Sequence, residues 1–353
     1  MTRTRRAALT LLALALLALP FGMAQNLIHI DFQSKWFPQA QFAGYFVAQD
    51  KGFYADEGLD VNILDGGNVN PTVQVASGNA DFGTDWVANM LTQREKGLDV
   101  VTIAQMYQKS GYRLVALKSS GIRSIQDLAG KTVGVWGFGN EFAAEAVFAA
   151  VGFTSNLDPT VKNPDVKTVV YAFDPSLVFP NKVDVASAMT YNELDQIVGL
   201  GYPLDSLVVL NPADVGADLL EDNIFTTPKL LASTNFKGSG LTGMQVAERF
   251  LRASIKGWQY AIDHQSEAVD IVLKHCGDTC AGSGTRQSPV IHQTWQMAEV
   301  AKLVEPTPDT KIGQLDKAAF DRSVNLLVKV GLLKQPVSFS DAVDTRVYDA
   351  ISK

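Results

Sequence analysis

Short apolar runs alternate with helical patterns through the first two thirds of the chain. The runs span about four to eight positions and are rich in β-branched residues, a pattern typical of buried or half-buried strands. The predicted strands are Leu27–Phe32, Leu59–Leu64, Ala80–Gly83, Val100–Met106, Arg113–Lys118, Thr132–Trp136, Thr168–Ala172, Val185–Met189 and Leu207–Leu210. Strands that alternate with helices predict an α/β fold with mostly parallel sheets.

The C-terminal third is helical in pattern. From Leu241 to Cys276, apolar residues recur every three or four positions on one helical face, and Gln293–Leu303 and Lys317–Val330 follow the same rule. The earlier helix predictions are Phe42–Glu57, Asn70–Ser77, Val87–Lys96, Ser124–Leu128, Glu141–Val151 and Asn192–Gly199. Since no repeat or long linker separates two halves, two domains would be connected by a chain that crosses between them more than once.

Length and composition favour a folded chain of about two domains. Of the 353 residues, 46% are hydrophobic, which excludes a wholly disordered protein. The 30 basic and 37 acidic residues give a net charge of -7. An acidic chain has no overall attraction for nucleic acid, so we expect no nucleic-acid partner.

The first residues have the features of an export signal. Three arginines precede the apolar run Ala7–Leu19, and small residues follow up to Ala24. A membrane anchor is the alternative, but this run of 13 residues is short for a bilayer that needs about 20. We predict that residues 1–24 are a signal peptide and that the protein is periplasmic. There is no cysteine near the predicted cleavage site, so we do not expect a lipid anchor.

Two cysteines exclude a cysteine-rich scaffold. Cys276 and Cys280 enclose three residues, and in an exported protein this spacing favours a local disulfide over a redox-active pair, which usually encloses two.

Enzyme and cofactor motifs are largely missing from the sequence. The four histidines have no metal-ligand spacing; they are His29, His264, His275 and His292. The segment Gly130-Lys131-Thr132 resembles the end of a phosphate-binding loop, but Ile125 stands where that loop needs glycine. We therefore predict no catalytic residues, no metal and no cofactor.

Several predicted strands end in aromatic, amide or carboxylate side chains, and open α/β sheets bind ligands at such strand ends. An aromatic slot with few polar groups suits a flat heterocycle, whereas a small anion would favour Arg or Lys, of which these loops hold only Lys35. The predicted ligand-binding residues are Trp36, Gln39, Gln41, Phe42, Asn68, Asp85, Trp86, Tyr107, Trp136, Phe138, Asn140, Tyr191, Asn192 and Glu193.

The loop from Trp136 to Asn140 has two interpretations. Its glycines resemble a dinucleotide fingerprint, but Phe142 stands at the third glycine position. It is either an ordinary strand-to-helix turn or a loop whose free N–H groups face a ligand at the start of a helix.

A set of short motifs resembles a known family. They are Trp36-x-Pro38, Ala43-Gly44-Tyr45, Lys51-Gly52-Phe53-Tyr54, Glu57-Gly58-Leu59-Asp60-Val61, Val75-Ala76-Ser77-Gly78, Ala80-Asp81-Phe82-Gly83, Leu128-Ala129-Gly130-Lys131 and Met189-Thr190-Tyr191-Asn192-Glu193. Together they resemble the periplasmic substrate-binding proteins similar to thiamine-pyrimidine synthases, a family that also includes alkanesulfonate binders.

The resemblance implies a type II periplasmic-binding-protein fold, with two α/β lobes joined by a two-strand hinge. Lobe I would comprise residues 25–118 and 212–353, and lobe II residues 119–211, with the hinge near Leu117–Gly121 and Leu207–Ala213. It also implies a monomer that carries a small molecule to the membrane permease of an ABC importer.

The resemblance favours riboflavin or a related vitamin precursor as the ligand. Pyrimidine-binding and pyrimidine-synthesising members carry histidine where this chain has Gln41, which counts against a pyrimidine and against an enzyme. A binder of nitrate, taurine or alkanesulfonate, a synthase-like enzyme and a sensor domain remain the alternatives.

Overall fold

The computed structural model describes residues 27–67, 69–137, 139–277, 280 and 287–352. The predicted signal peptide and two predicted site residues, Asn68 and Phe138, lie outside these residues. The described chain forms two five-stranded sheets. The strands are β1 (Ile28–Gln33), β2 (Leu59–Leu64), β3 (Phe82–Asp85), β4 (Val101–Gln105), β5 (Tyr112–Leu117), β6 (Thr132–Val135), β7 (Lys167–Val170), β8 (Val185–Met189), β9 (Leu207–Leu210) and β10 (Asn223–Thr226).

Sheet A has the order β2-β1-β3-β10-β4, and sheet B has the order β7-β6-β8-β5-β9. In sheet A, β1 runs parallel to β2 and β3, while β10 runs antiparallel to both of its neighbours. In sheet B, β6 is parallel to β7 and β8, while β5 is antiparallel to β8 and β9.

The expectation of mostly parallel sheets holds for four of the five strands in each sheet, while β10 and β5 run against the others. One antiparallel strand stands inside each sheet, and each is reached by a segment that crosses from the other sheet. The strand β10 was not predicted, because its four residues are too short to show an alternating pattern.

Two segments carry the chain between the sheets, at residues 106–111 and 211–222. Because β5 pairs with β8 and β9, it belongs to sheet B, although the predicted division after residue 118 assigns it to lobe I. The exact division into lobes remains a prediction.

Thirteen helices are described. They are α1 (Ala43–Asp50), α2 (Phe53–Asp56), α3 (Pro71–Ala76), α4 (Val87–Glu95), α5 (Phe142–Ala150), α6 (Glu193–Gly199), α7 (Pro228–Leu231), α8 (Gly243–Asp263), α9 (Gln265–Cys276), α10 (Pro289–Val304), α11 (Lys317–Lys329), α12 (Phe339–Ala342) and α13 (Arg346–Ile351). The helical pattern predicted over Leu241–Cys276 is interrupted at His264, whose non-helical backbone separates α8 from α9.

Helix starts follow ordinary capping chemistry. Asn70 accepts a hydrogen bond from the backbone of Val73 and is followed by proline, and Thr242 forms a capping box with Gln245. These caps fix where α3 and α8 begin.

Glycines allow α1 and α8 to pack in close contact. A Cβ atom on Gly257 would lie 2.1 Å from the carbonyl oxygen of Gly44, and one on Gly44 would lie 2.2 Å from the ring of Trp258. Trp258 is fully buried. This contact holds α8 against the start of α1.

Cys276 and Cys280 are joined by a disulfide, with their Cα atoms 5.3 Å apart. Within the described ranges, no helix is both long and apolar enough to cross a membrane.

Candidate ligand-binding site

A cavity lies in the cleft between the two sheets, and both sides of the cleft contribute to it. We call it the inner cavity. Its lining residues from the sheet A side are Lys35, Trp36, Gln39, Gln41 and Trp86, and those from the sheet B side are Trp136, Asn140, Phe173, Met189, Tyr191, Asn192 and Glu193. These residues follow strand ends, as the strand pattern predicted.

A second space, the outer cavity, adjoins the inner one. The two share Lys35, Trp36, Asn140 and Phe173. The residues found only in the outer cavity are Gly67, Val69, Asn70, Pro71, Asn89, Gln93, Lys96, Gly139, Glu141 and Phe142. The inner cavity has a volume of about 40 Å³ and the outer one about 470 Å³. Of these two cavities, only the outer one has the volume of a small-molecule pocket in this conformation.

Aromatic rings from both sides meet across the cleft. The ring of Phe173 lies with its centroid 4.3 Å from Trp36 and 5.9 Å from Trp136. Trp136 also meets Tyr112 edge to face at 5.9 Å. Stacked and edge-to-face geometry of this kind is favoured by aromatic quadrupoles.

Lys35 is held by a buried acid. Its Nζ donates to Asp85 Oδ1 at 2.7 Å and lies 4.9 Å from the ring centroid of Trp86. Asp85 also accepts hydrogen bonds from Thr72 and Asn89. The positive charge is therefore neutralised where it reaches the cavity.

A chain of amide hydrogen bonds crosses the floor of the cleft. Gln296 donates to Gln39 at 3.1 Å, Gln39 donates to Gln41 at 2.8 Å, and Gln41 donates to Asp222 at 2.8 Å. Such a chain fixes the orientation of each amide. Asp222 is fully buried, and this burial raises its pKa to about 6.

Glu193 is a second buried acid, and it lines the inner cavity. It accepts hydrogen bonds from the backbone N–H of Met189 and from Asn192 Nδ2. Burial raises the pKa of Glu193 to about 7. The side chain of Asn192 makes no capping bond to α6, so it is available to partners across the cleft.

The helix α10 from the sheet A side closes one end of the cleft. His292 Nδ1 lies 2.6 Å from Asp195 Oδ2 on α6, and Trp295 Nε1 donates to the carbonyl of Thr190 at 2.8 Å. Gln296 and His292 also reach Asn192 Oδ1, each at 3.0 Å. His292 has no predicted role, because its position in a helix gave no sign of a partner.

The structure brings nine predicted residues together around the inner cavity: Trp36, Gln39, Gln41, Trp86, Trp136, Asn140, Tyr191, Asn192 and Glu193. Three others lie behind this lining. Phe42 is in the core, Asp85 holds Lys35, and Tyr107 donates to the carbonyl of Gln41 and meets Tyr191 edge to face. Apolar packing explains the position of Phe42, and hydrogen bonds to buried neighbours explain those of Asp85 and Tyr107.

Three lining residues were not predicted. They are Lys35, Phe173 and Met189. Phe173 follows the strand β7, so the rule applied to the other strand ends points to it as well. Met189 is the last residue of β8, and its apolar side chain does not distinguish it from a core residue of the strand.

The two-sheet architecture agrees with solved structures of periplasmic binding proteins. The periplasmic aliphatic sulphonate binding protein SsuA from Escherichia coli superposes with a TM-score of 0.60 at 13% identity, covering 91% of this chain and 92% of that one. The chain has this fold, with two α/β lobes, as the sequence motifs implied.

The sequence pattern described as NMT1/THI5 like matches residues 39–268, and the chain belongs to that family. The riboflavin-binding protein RibY of Chloroflexus aurantiacus is 28% identical, covering 92% of this chain and 88% of that protein. The formylaminopyrimidine-binding protein of Halalkalibacterium halodurans is 23% identical, covering 89% and 88%. The chain is a solute-binding protein of this family and not one of its enzymes.

Proposed function

We propose that this protein captures a planar aromatic nutrient outside the cytoplasm, with riboflavin as the best candidate, and delivers it unchanged to an ABC importer. The observation that carries the proposal is the inner cavity, where rings from both lobes face each other across the cleft. A ligand held by both lobes stabilises the closed arrangement, which is how hinged binding proteins respond to their solutes.

The charges around the cleft disfavour a small anion. Lys35 is the one cation among the described residues of the inner cavity, and its charge is already paired with Asp85 at 2.7 Å. Glu193 also lines the cavity, and Asp222 lies behind Gln41. Within the inner cavity, nitrate or a sulfonate would find no free positive group, which such anions require when desolvated, since Lys96 lines the outer cavity but not the inner one.

Hydrogen-bond donors are available for the carbonyl groups of a flavin. The indole Nε1 atoms of Trp86 and Trp136 are buried and have no hydrogen-bond partner among the described residues. Both indoles line the inner cavity. Since a buried donor left unpaired costs free energy, a ligand carbonyl at these positions would be stabilised.

The outer cavity supports riboflavin over a bare pyrimidine. Its volume of about 470 Å³ adjoins the aromatic cleft. Its polar residues include Asn70, Asn89, Gln93 and Asn140. A polyhydroxyl chain such as the ribityl group of riboflavin would find amide partners there, whereas a single-ring pyrimidine would leave this space to water.

The similarity to RibY supports the same ligand, and the similarity to the formylaminopyrimidine-binding protein keeps a pyrimidine precursor as the second candidate. Pyrimidine-binding members of the family carry histidine at the position of Gln41. In this chain the amide of Gln41 donates to Asp222. That difference favours the flavin.

Export to the periplasm, removal of residues 1–24, a monomeric state and docking to a membrane permease complete the proposal. The apolar N-terminal run and its flanking arginines support export. The fold shared with periplasmic binding proteins supports delivery to a permease.

The test is a titration of riboflavin with the purified mature protein, followed by quenching of the flavin fluorescence. We expect saturable quenching at micromolar protein, no competition by taurine or nitrate, and riboflavin recovered unchanged by mass spectrometry. The absence of quenching would overturn riboflavin as the ligand. Displacement of riboflavin by taurine would favour the anion alternative, and a changed flavin mass would favour an enzyme.

A further inference from the structure

Phe173 stands between two indoles that belong to opposite sides of the cleft. Its ring centroid is 4.3 Å from that of Trp36, which follows β1, and 5.9 Å from that of Trp136, which follows β6. The planes of Phe173 and Trp136 differ by only 22°, a stacked arrangement. The phenyl ring therefore makes the contacts that a flat ligand would make in the same slot.

The backbone of Phe173 is held in an unusual conformation. Its φ angle is +57°, and Lys237 is the only other described non-glycine residue with a positive φ. Bulky residues rarely adopt this left-handed region, and when they do, the surroundings enforce it. The side chain is thus placed in the slot at a conformational cost.

Both flanks of Phe173 are anchored. Two residues before it, the hydroxyl of Tyr171 donates to the carbonyl of Ser187. Directly after it, Asp174 caps the short turn Pro175–Leu177 by accepting from the backbone N–H of Ser176 at 2.9 Å. Phe173 can therefore rotate out of the slot without rearrangement of the strand before it or the turn after it.

Space for the displaced ring lies next to the slot. Phe173 lines the outer cavity of about 470 Å³ as well as the inner cavity of about 40 Å³. A swing toward the outer cavity would open the inner one without unpacking the core.

We propose that Phe173 is a specificity-determining residue whose ring occupies the ligand's stacking position and must be displaced for binding. This inference rests on the proposed function, since it assumes that a planar ring enters the slot. A flat ligand replaces the two ring contacts that Phe173 gives up, the tilted one with Trp36 and the stacked one with Trp136, whereas a small anion or an aliphatic solute replaces neither. Phe173 would thus select planar aromatic solutes, because only such a solute compensates for displacing its ring from the slot.

The test compares riboflavin affinity of the wild type with Phe173→Ala and Phe173→Gly. Removal of the competing ring is expected to tighten binding five- to twenty-fold in both variants, and glycine also suits the positive φ. Phe37→Ala is the matched control, because Phe37 contacts Trp36 at 5.2 Å but lines neither cavity. It should not tighten binding. Unchanged or weaker binding in both Phe173 variants would overturn the inference.

A second measurement needs no ligand. Acrylamide quenching of tryptophan emission should increase in Phe173→Gly, because the ring no longer covers Trp36 and Trp136, and unchanged quenching would overturn the inference. Riboflavin binding by Phe173→Gly but not by the wild type would support displacement. Failure of both proteins to bind riboflavin, together with increased acrylamide quenching, would overturn the choice of riboflavin and leave the covering role of Phe173 supported.

Discussion

His292 and Asp195 join the two sides of the cleft through a fully buried hydrogen bond, with Nδ1 and Oδ2 2.6 Å apart. His292 lies on α10, which packs with the sheet A helices, and Asp195 lies on α6, which packs against β8 of sheet B. Because neither group contacts solvent, the pair depends on the two sides remaining together. It is thus a polar contact that specifies the closed arrangement.

His292→Ala is expected to lower the free energy of unfolding by about 3–5 kcal/mol, because it leaves the carboxylate of Asp195 buried without this partner. Urea denaturation measures the change. The control is Lys317→Ala, which removes an exposed ion pair with Asp321 and should cost less than about 1 kcal/mol. Equal losses in the two variants would show that the cleft pair contributes no more than a surface pair.

Trp36→Ala is expected to weaken riboflavin binding by about 10- to 100-fold, the scale of a lost aromatic contact of about 1–3 kcal/mol. Trp36→Phe keeps a stacking face and should retain most of the affinity. Fluorescence titration measures both variants. An unchanged affinity in Trp36→Ala would remove Trp36 from the site.

Gln41→Glu is expected to destabilise the protein at pH 8 by about 2–4 kcal/mol, since it places a second acid 2.8 Å from the buried Asp222. The loss should shrink at pH 5, where the pair can keep a proton. Gln245→Glu makes the same change in an exposed capping box and should have little effect. Equal thermal shifts in the two variants would contradict the buried charge repulsion.

Glu221 makes stability depend on pH. It is buried and accepts from Ser110 and from the backbone of Gly111 and Tyr112, and burial raises its pKa from 4.5 to about 7. The folded state therefore holds the proton more tightly, and the stability this provides is present below pH 4.5 and lost as the pH rises through about 7.

We accordingly expect a lower unfolding temperature at pH 8 than at pH 5.5. Glu221→Gln should reduce the corresponding difference in the free energy of unfolding by about 1–2 kcal/mol, while the exposed Asp270→Asn should leave that difference unchanged. If the stability of Glu221→Gln depends on pH as strongly as that of the wild type, other buried acids cause the dependence. Glu193 and Asp222 are the next candidates, because burial also raises their pKa values.

Gly257→Ala is expected to cost at least about 1–3 kcal/mol, because its methyl group would lie 2.1 Å from the Gly44 carbonyl oxygen and force α1 and α8 apart. Gly137→Ala is the control, since its nearest contact would be Val170 at 3.6 Å. Thermal unfolding compares the two. Similar unfolding temperatures would mean that the helices can shift at little cost.

The sequence predicts the α/β class and most strands, because apolar runs record burial directly. Its motifs also imply the binding-protein fold, which the solved relative confirms. It does not predict β10 or the antiparallel direction of β5, because strand direction depends on where the chain crosses between sheets. A four-residue strand carries too little pattern to show this.

Side chains at strand ends were predictable, but partners from distant helices were not. Trp136 and Tyr191 follow strands that the pattern reveals. The buried His292 pairs with a residue 97 positions away, and no local spacing reports such a contact. Phe173 follows β7, so its place in the cleft agrees with the same strand-end pattern.

An inner strand of sheet A, β10, consists of residues 223–226, which follow the whole of sheet B along the chain. Sheet B is built from the single stretch 112–210, so it can form as soon as that stretch is available. Strand pairing over long sequence separations is slow. Sheet A is therefore complete only after residues 223–226 have been added between β3 and β4, so a chain emerging during synthesis would complete sheet A after sheet B.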